Sequence, residues 1–177
     1  MQKLKRQSLR LPHYDYASPG WYFVTVCTSE RQQVFGRIKK GKMYLSEIGR
    51  IVEDIWKQTS AIRPNVRLDE FVVMPDHMHM IVYIETRGDC REDGGVCNTP
   101  RRQKTKYQSP SQTFGAIISG FKAASTRSAN QHLKTSGFPI WQSNYYEHIV
   151  RTEAALNRIR QYIHDNPSKW KIDPHDR

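Results

Sequence analysis

Two histidines one residue apart, His77 and His79, stand in the run FVVMPDHMHMIVYI at residues 71–84, and their type and spacing can do chemistry. Val72, Val73, Ile81, Val82, Tyr83 and Ile84 are strand formers, and Met74-Pro75-Asp76 is a breaker that belongs at a turn or strand start, so the run reads as strand, turn, strand. Successive strand side chains alternate faces, which sends His77 and His79 one way and Met78, Met80 and Val82 the other. A single strand histidine is more often an exposed or hydrogen-bonded side chain than a ligand. Two on one face of a Val/Ile/Met strand can share a divalent metal or hold a phosphate, and a third metal ligand has to come from elsewhere. Parity sends Asp76 to the opposite face and register keeps Glu70 distant, so no carboxylate is expected beside the pair.

A second chemically useful set lies in TEAALNRIRQYIHDNP at residues 152–167. Thr152 offers an N-cap, Glu153 suits the positive end of the helix dipole, and Leu156, Ile159 and Ile163 make the apolar face. Tyr162 and Asn166, four apart, share a side, with Arg158 one turn before the tyrosine. Pro167 is expected to stop the helix just after Asn166.

The elements that must carry these residues follow from the rest of the chain. WYFVTVCT at residues 21–28 is nearly continuous in strand formers and is therefore expected to be central. Residues 33–38 and 42–45, joined by Lys39-Lys40-Gly41, read as a short hairpin with a basic tip. Ser46 caps a helix running through about Thr59, in which Ile48, Ile51, Val52, Ile55 and Trp56 form a core stripe that must cover a sheet. Ser111 or Thr113 begins a second helix with Phe114, Ile117, Ile118 and Phe121 inward. Residues 140–150, IWQSNYYEHIV, form a last strand or an extended segment laid over the sheet.

The 177 residues suit one domain spanning 1–177, with an extended basic arm at 1–20 and a polar, basic loop at 86–112. Lys and Arg number 28 against 17 Asp and Glu, a formal charge of +11, which points to a polyanion and foremost to nucleic acid. The candidate phosphate-contacting residues are Lys5, Arg6 and Arg10 in the arm, Arg101, Arg102, Lys104 and Lys106 in the loop, and Lys122, Arg127 and Arg158 on helices. No apolar run is long enough to span a bilayer, and residues 1–12 have no apolar core after their basic residues, so a cytoplasmic, nucleoid-associated location is expected. Cys27, Cys90 and Cys97 lack metal or disulfide spacing and read as free thiols. No phosphate-cradling glycine loop is present.

Taken together, His77-Met78-His79 after Val72-Val73-Met74-Pro75, then Trp141-Gln142, Tyr145-Tyr146-Glu147-His148 and Tyr162-Ile163-His164-Asp165-Asn166-Pro167, resemble the single-tyrosine HUH transposases. Within these the pattern is most similar to the REP-associated tyrosine transposases, and residues 10–16 and 21–26 fit the same group. The resemblance runs from about residue 9 to residue 170. It implies an α+β fold, ferredoxin-like or RRM-like, with an antiparallel sheet, helices packed on one face and the active site on the open face. Carried over by position, it implies Tyr162 as the catalytic nucleophile and His77, His79 and Asn166 as metal ligands, with Mg²⁺ or Mn²⁺ as cofactor. Relatives outside this group have Gln at the last of these positions, and Asn is frequent where this chain has Asp76.

The implied activity is metal-dependent transesterification of hairpin-bearing single-stranded DNA, such as a REP-like palindrome, through a 5′-phosphotyrosine intermediate. The protein would act as a monomer or homodimer, with the tyrosine in cis or in trans. His164 and Arg158 are further candidates for supporting roles. Two other readings compete: a non-catalytic single-stranded nucleic-acid-binding module on the same scaffold, and a metal hydrolase working through bound water, which would require a carboxylate near the site.

Overall fold

The computed structural model describes residues 18–85 and 113–170. The arm up to residue 17, the basic loop at 86–112 and residues 171–177 lie outside the described residues. Lys5, Arg6, Arg10, Arg101, Arg102, Lys104, Lys106, Cys90 and Cys97 fall there.

The strand-forming run near residue 21 becomes β1 (Gly20–Cys27), and the two halves of the histidine run become β4 (Val66–Val73) and β5 (His77–Ile84). With β6 (Tyr146–Val150) they make a four-stranded antiparallel sheet in the order β4-β5-β1-β6. β1 is central, as its continuous apolar sequence requires. Helix α1 (Glu47–Lys57) connects β1 to β4, and α3 (Phe114–His132) connects β5 to β6, which gives the βαββαβ path of a ferredoxin-like α+β domain. A separate hairpin, β2 (Gly36–Lys39) with β3 (Lys42–Leu45), is inserted before α1, and a single turn, α2 (Thr59–Ile62), follows it. Among the described residues, no helix is long and apolar enough to cross a membrane.

Both long connecting helices start where the side chains can cap them. The Ser46 hydroxyl accepts from the Gly49 amide at 3.1 Å, and Thr113 accepts from the Ala116 amide at 3.3 Å, each satisfying a donor that the first turn leaves orphaned. Val52 and Trp56 from α1 and Phe114, Ile117, Ile118 and Phe121 from α3 pack on Tyr22, Val24, Val26, Met78, Met80 and Val82 in one core. Burying each of these large side chains contributes about 1.5–3 kcal/mol. Of the segment at residues 140–150, only the last five residues form a strand; Trp141 makes a single bridge to Thr28, and its indole N–H donates to the buried Ser125 hydroxyl at 2.9 Å.

The last helix, α4 (Glu153–Lys169), lies on the other face. Its Leu156 and Ile163 are buried with Phe23, Ile81 and Val150, and Trp21, Val72 and Ile159 pack around them. Pro167 does not stop this helix, which runs on to Lys169. Proline removes one N–H from the ladder, but the final turn has other ties: Ser168 Oγ donates to the Asp165 carbonyl at 2.8 Å, Lys169 Nζ reaches the Asp165 carboxylate at 3.0 Å, and the Trp170 ring settles 5.7 Å from that of His77.

A register shift in β4 between Leu68 and Phe71 sets which side chains meet α4. Because of it, Val66, Leu68, Phe71 and Val73 all pack towards α1 and α3, although 68 and 71 have opposite parity. Asp69, in the irregular stretch, is taken by Arg160 of α4: Nε lies 3.1 Å from both carboxylate oxygens and Nη2 lies 2.5 Å from Oδ2. The Arg160 guanidinium also lies over the Trp21 ring. At the far end of the helix, Gly41 at the β2–β3 tip, with φ of 71°, comes so close to Ser168 that a Cβ there would sit 3.4 Å from its Cα.

Candidate active site

Strand alternation delivers His77 and His79 to the α4 face, where they are 6% and 5% exposed. Their Nε2 atoms converge to 3.0 Å. The far side of each ring is held by a different partner. His77 Nδ1 lies 2.5 Å from Asp76 Oδ1, and because a carboxylate can only accept, Nδ1 carries a proton and Nε2 is the ring atom turned to His79. His79 Nδ1 lies 2.8 Å from Thr25 Oγ1 on the neighbouring strand, where Thr25 and His79 are register partners. Burial, reinforced by His77 and Arg31, drives the His79 pKa down to about 3, so the ring is neutral and able to ligate at physiological pH.

Asp76 is therefore at the site and not on the opposite face. Parity applies within a strand, whereas Asp76 precedes β5 in the turn. The backbone of that turn is fixed by Met74 N–H donating to the His77 carbonyl and by Thr28 N–H donating to the Asp76 carbonyl, each at 2.8 Å. The other carboxylate oxygen of Asp76 pairs with Arg31 Nε at 3.3 Å. Arg31 and its neighbour Glu30 both adopt left-handed backbone, φ of 58° and 53°, and Arg31 also donates to Cys27 Sγ at 2.9 Å.

The third chemical group comes from α4. The Tyr162 hydroxyl lies 3.2 Å from His79 Nε2, within hydrogen-bond reach. Tyr162 is 46% exposed, and its ring makes T-shaped contacts with Phe23 and His79. Asn166 stands one helical turn further on. Tyr162 touches His79, and Asn166, four residues on, shares its side of α4.

This donor set fits a divalent cation. The two Nε2 atoms, 3.0 Å apart, are close enough to share either a proton or a cation. About 3 Å is also the separation that two metal–nitrogen bonds of ~2.1 Å make at a right angle. Among the described residues there is no cluster of three His, Cys, Asp or Glu side chains placed to hold a metal.

Of the basic residues singled out from sequence, Arg158 is exposed on α4, one turn before Tyr162. Lys122 and Arg127 stand on α3, across the sheet from the histidines. The Lys122 ammonium donates to the backbone carbonyls of Gln142 and Ser143, and burial lowers its pKa. His164 is exposed beside Asp165. Sequence reasoning did not find Thr25, Phe23, Asp76 or Trp170. Only Trp170 had a usable signal, its position eight residues, about two helical turns, beyond Tyr162.

Comparison with known proteins adds a relative and a fold. The chain is 39% identical over 171 residues to an uncharacterised protein of Haemophilus influenzae, a match spanning 95% of this chain and 91% of that one. No family model matches the sequence. Among solved structures, a REP-associated tyrosine transposase bound to a REP hairpin aligns with a TM-score of 0.59 at 20% identity, covering 92% of this chain and 74% of the other. At that identity the likeness is one of fold.

Proposed function

We propose that this chain, which belongs to one family with its Haemophilus influenzae relative, is a metal-dependent DNA transesterase of the REP-associated tyrosine transposase type. The observation that carries this reading is the convergence of the Tyr162 hydroxyl, His79 Nε2 and His77 Nε2 within successive steps of 3.2 and 3.0 Å. A non-catalytic binding module has no need of a phenol beside two buried imidazoles with converging Nε2 atoms. The transposase of the same fold holds a REP hairpin, which supports hairpin-bearing single-stranded DNA as the substrate class here.

His77, His79 and Asn166 would hold the cation, Mn²⁺ or Mg²⁺, which when bound neutralises charge on the scissile phosphate. Mn²⁺ suits two imidazoles better than Mg²⁺ does. Asp76 and Thr25 orient the ligating rings from behind. Tyr162 supplies the nucleophilic oxygen. A phenol is a weak acid that stays protonated at neutral pH unless assisted, so the proton must leave as the new bond forms. The tyrosyl oxygen bonds to phosphorus, the bond from phosphorus to the 3′ oxygen breaks, and that oxygen takes up a proton. One phosphodiester is exchanged for another, so a different 3′-hydroxyl can reverse the step without ATP. Phe23, edge-on to Tyr162 and stacked beside His79, limits where the phenol can swing.

The test is incubation of labelled hairpin-bearing single-stranded DNA with Mn²⁺ or Mg²⁺, resolved on a denaturing gel. Wild type is expected to form a metal-dependent covalent adduct and Tyr162→Phe none, a loss of roughly a thousandfold or more in rate. Binding without any adduct, across several hairpins and both metals, would instead favour the binding-module reading.

A further inference from the structure

Helix α4 covers only part of the histidine-bearing face. On β6 the residues turned to that face are Tyr146, His148 and Val150. Val150 is buried under Leu156 and Ile163, while His148 and Tyr146 lie beyond the helix and are exposed, Tyr146 by 54%. Tyr146 is the register partner of Thr25, and Thr25 is the register partner of His79 and holds its ring. Tyr146, Thr25 and His79 therefore form one row across three strands, about 10 Å from end to end at two strand spacings.

The aromatic geometry ties this row to the nucleophile. Phe23 meets the Tyr146 ring edge-on at 6.4 Å and the Tyr162 ring edge-on at 6.2 Å. The two tyrosine rings are thus no farther apart than those distances laid end to end, within the reach of a nucleotide adjoining a phosphate at Tyr162. Among the described residues the Tyr146 side chain makes no hydrogen bond, and its ring is not part of either buried core. An exposed ring with one T-shaped neighbour keeps at least one π-face open, which is what an unpaired base needs. The chain's formal charge of +11 draws a polyanion to it.

We propose that Tyr146 is a stacking platform for an unpaired base flanking the cleaved phosphodiester, so that the single strand crosses β6 as it leaves the catalytic corner. This rests on the transesterase reading. It makes Tyr146 a determinant of substrate affinity and register, with no part in bond exchange.

The experiment uses hairpin oligonucleotides carrying 2-aminopurine at successive single-stranded positions on either side of the cleavage point, with Mn²⁺. Wild type is expected to quench the probe at one position near that point and to form the adduct. Tyr146→Leu, which keeps a bulky strand side chain without a ring, should abolish that quenching and raise the DNA concentration needed for half-maximal rate roughly tenfold or more. The single-turnover rate at saturating DNA should stay within about threefold, as expected for a contact that binds ground state and transition state alike. Tyr146→Phe and Tyr146→Trp should retain both quenching and affinity, since the face and not the hydroxyl is used. Unchanged quenching and affinity in Tyr146→Leu, with an adduct formed, would overturn the stacking inference alone. Absence of an adduct with wild type on every probe would overturn the transesterase reading, and with it the placement of Tyr146 beside a cleaved bond.

Discussion

Asp76 carries the orientation of His77: its carboxylate accepts from Nδ1 on one oxygen and pairs with Arg31 on the other. Partners behind a ligating imidazole commonly tune metal affinity by about 10- to 100-fold. Asp76→Ala should accordingly weaken Mn²⁺ binding, read by electron paramagnetic resonance titration, by roughly that factor, with adduct formation recovering in part at high Mn²⁺. Asp76→Asn should cost less, because the amide oxygen can still accept from Nδ1–H. An alanine variant with wild-type Mn²⁺ affinity would remove Asp76 from the site's workings. The alternation that placed both histidines on one face was legible from the sequence, because it is a property of any strand. Asp76 was not, because the same rule was carried one residue past the end of β5 into a turn. Thr25 was hidden for another reason: it meets His79 only through the pairing of β1 with β5, and sequence periodicity does not fix register.

At the scale of elements, α4 is what turns a sheet with two histidines into a candidate nucleophilic site, and it is held at its middle and at its C-terminal end. Arg160 grips Asp69 near the middle of β4, and the Gly41 tip abuts Ser168. The ion pair is partly exposed, so its contribution to global stability is about 1 kcal/mol or less. Its larger effect is expected on position. Asp69→Ala should raise amide hydrogen exchange selectively in α4 and slow adduct formation severalfold, with a smaller loss of Mn²⁺ affinity, since Asn166 is the one proposed ligand that α4 carries. The charge-exchanged pair Asp69→Arg with Arg160→Asp should recover part of the rate. Equal exchange in every element would mean that the pair merely stabilises the fold. The caps at Ser46 and Thr152 and the stripes of α1 and α3 were readable in advance from spacing. The extension of α4 past Pro167 was not, because the ties that carry it, from Ser168, Lys169 and Trp170, are tertiary or local side-chain bonds that override proline's tendency to end a helix.

At the scale of the whole molecule, Tyr162 reaches His79 of its own chain across 83 positions of sequence. The proposed catalytic unit, if assembled in cis as this contact has it, predicts the outcome of mixing two inactive variants. Tyr162→Phe combined with His79→Ala should yield no adduct at any ratio, whereas exchange of α4 between chains would restore adduct formation in the mixture. The βαββαβ path that makes this possible also orders events in time. β1, β4 and β5, which build the histidine corner, all precede α3, while β6 and α4 come after it. A chain emerging from the ribosome N-terminal end first can close the histidine corner long before the phenol exists. On the proposed reading, both histidines are in place before translation reaches α4, which brings Asn166 and the phenol together, so a chain still short of that helix holds half a cation site and nothing with which to cut DNA.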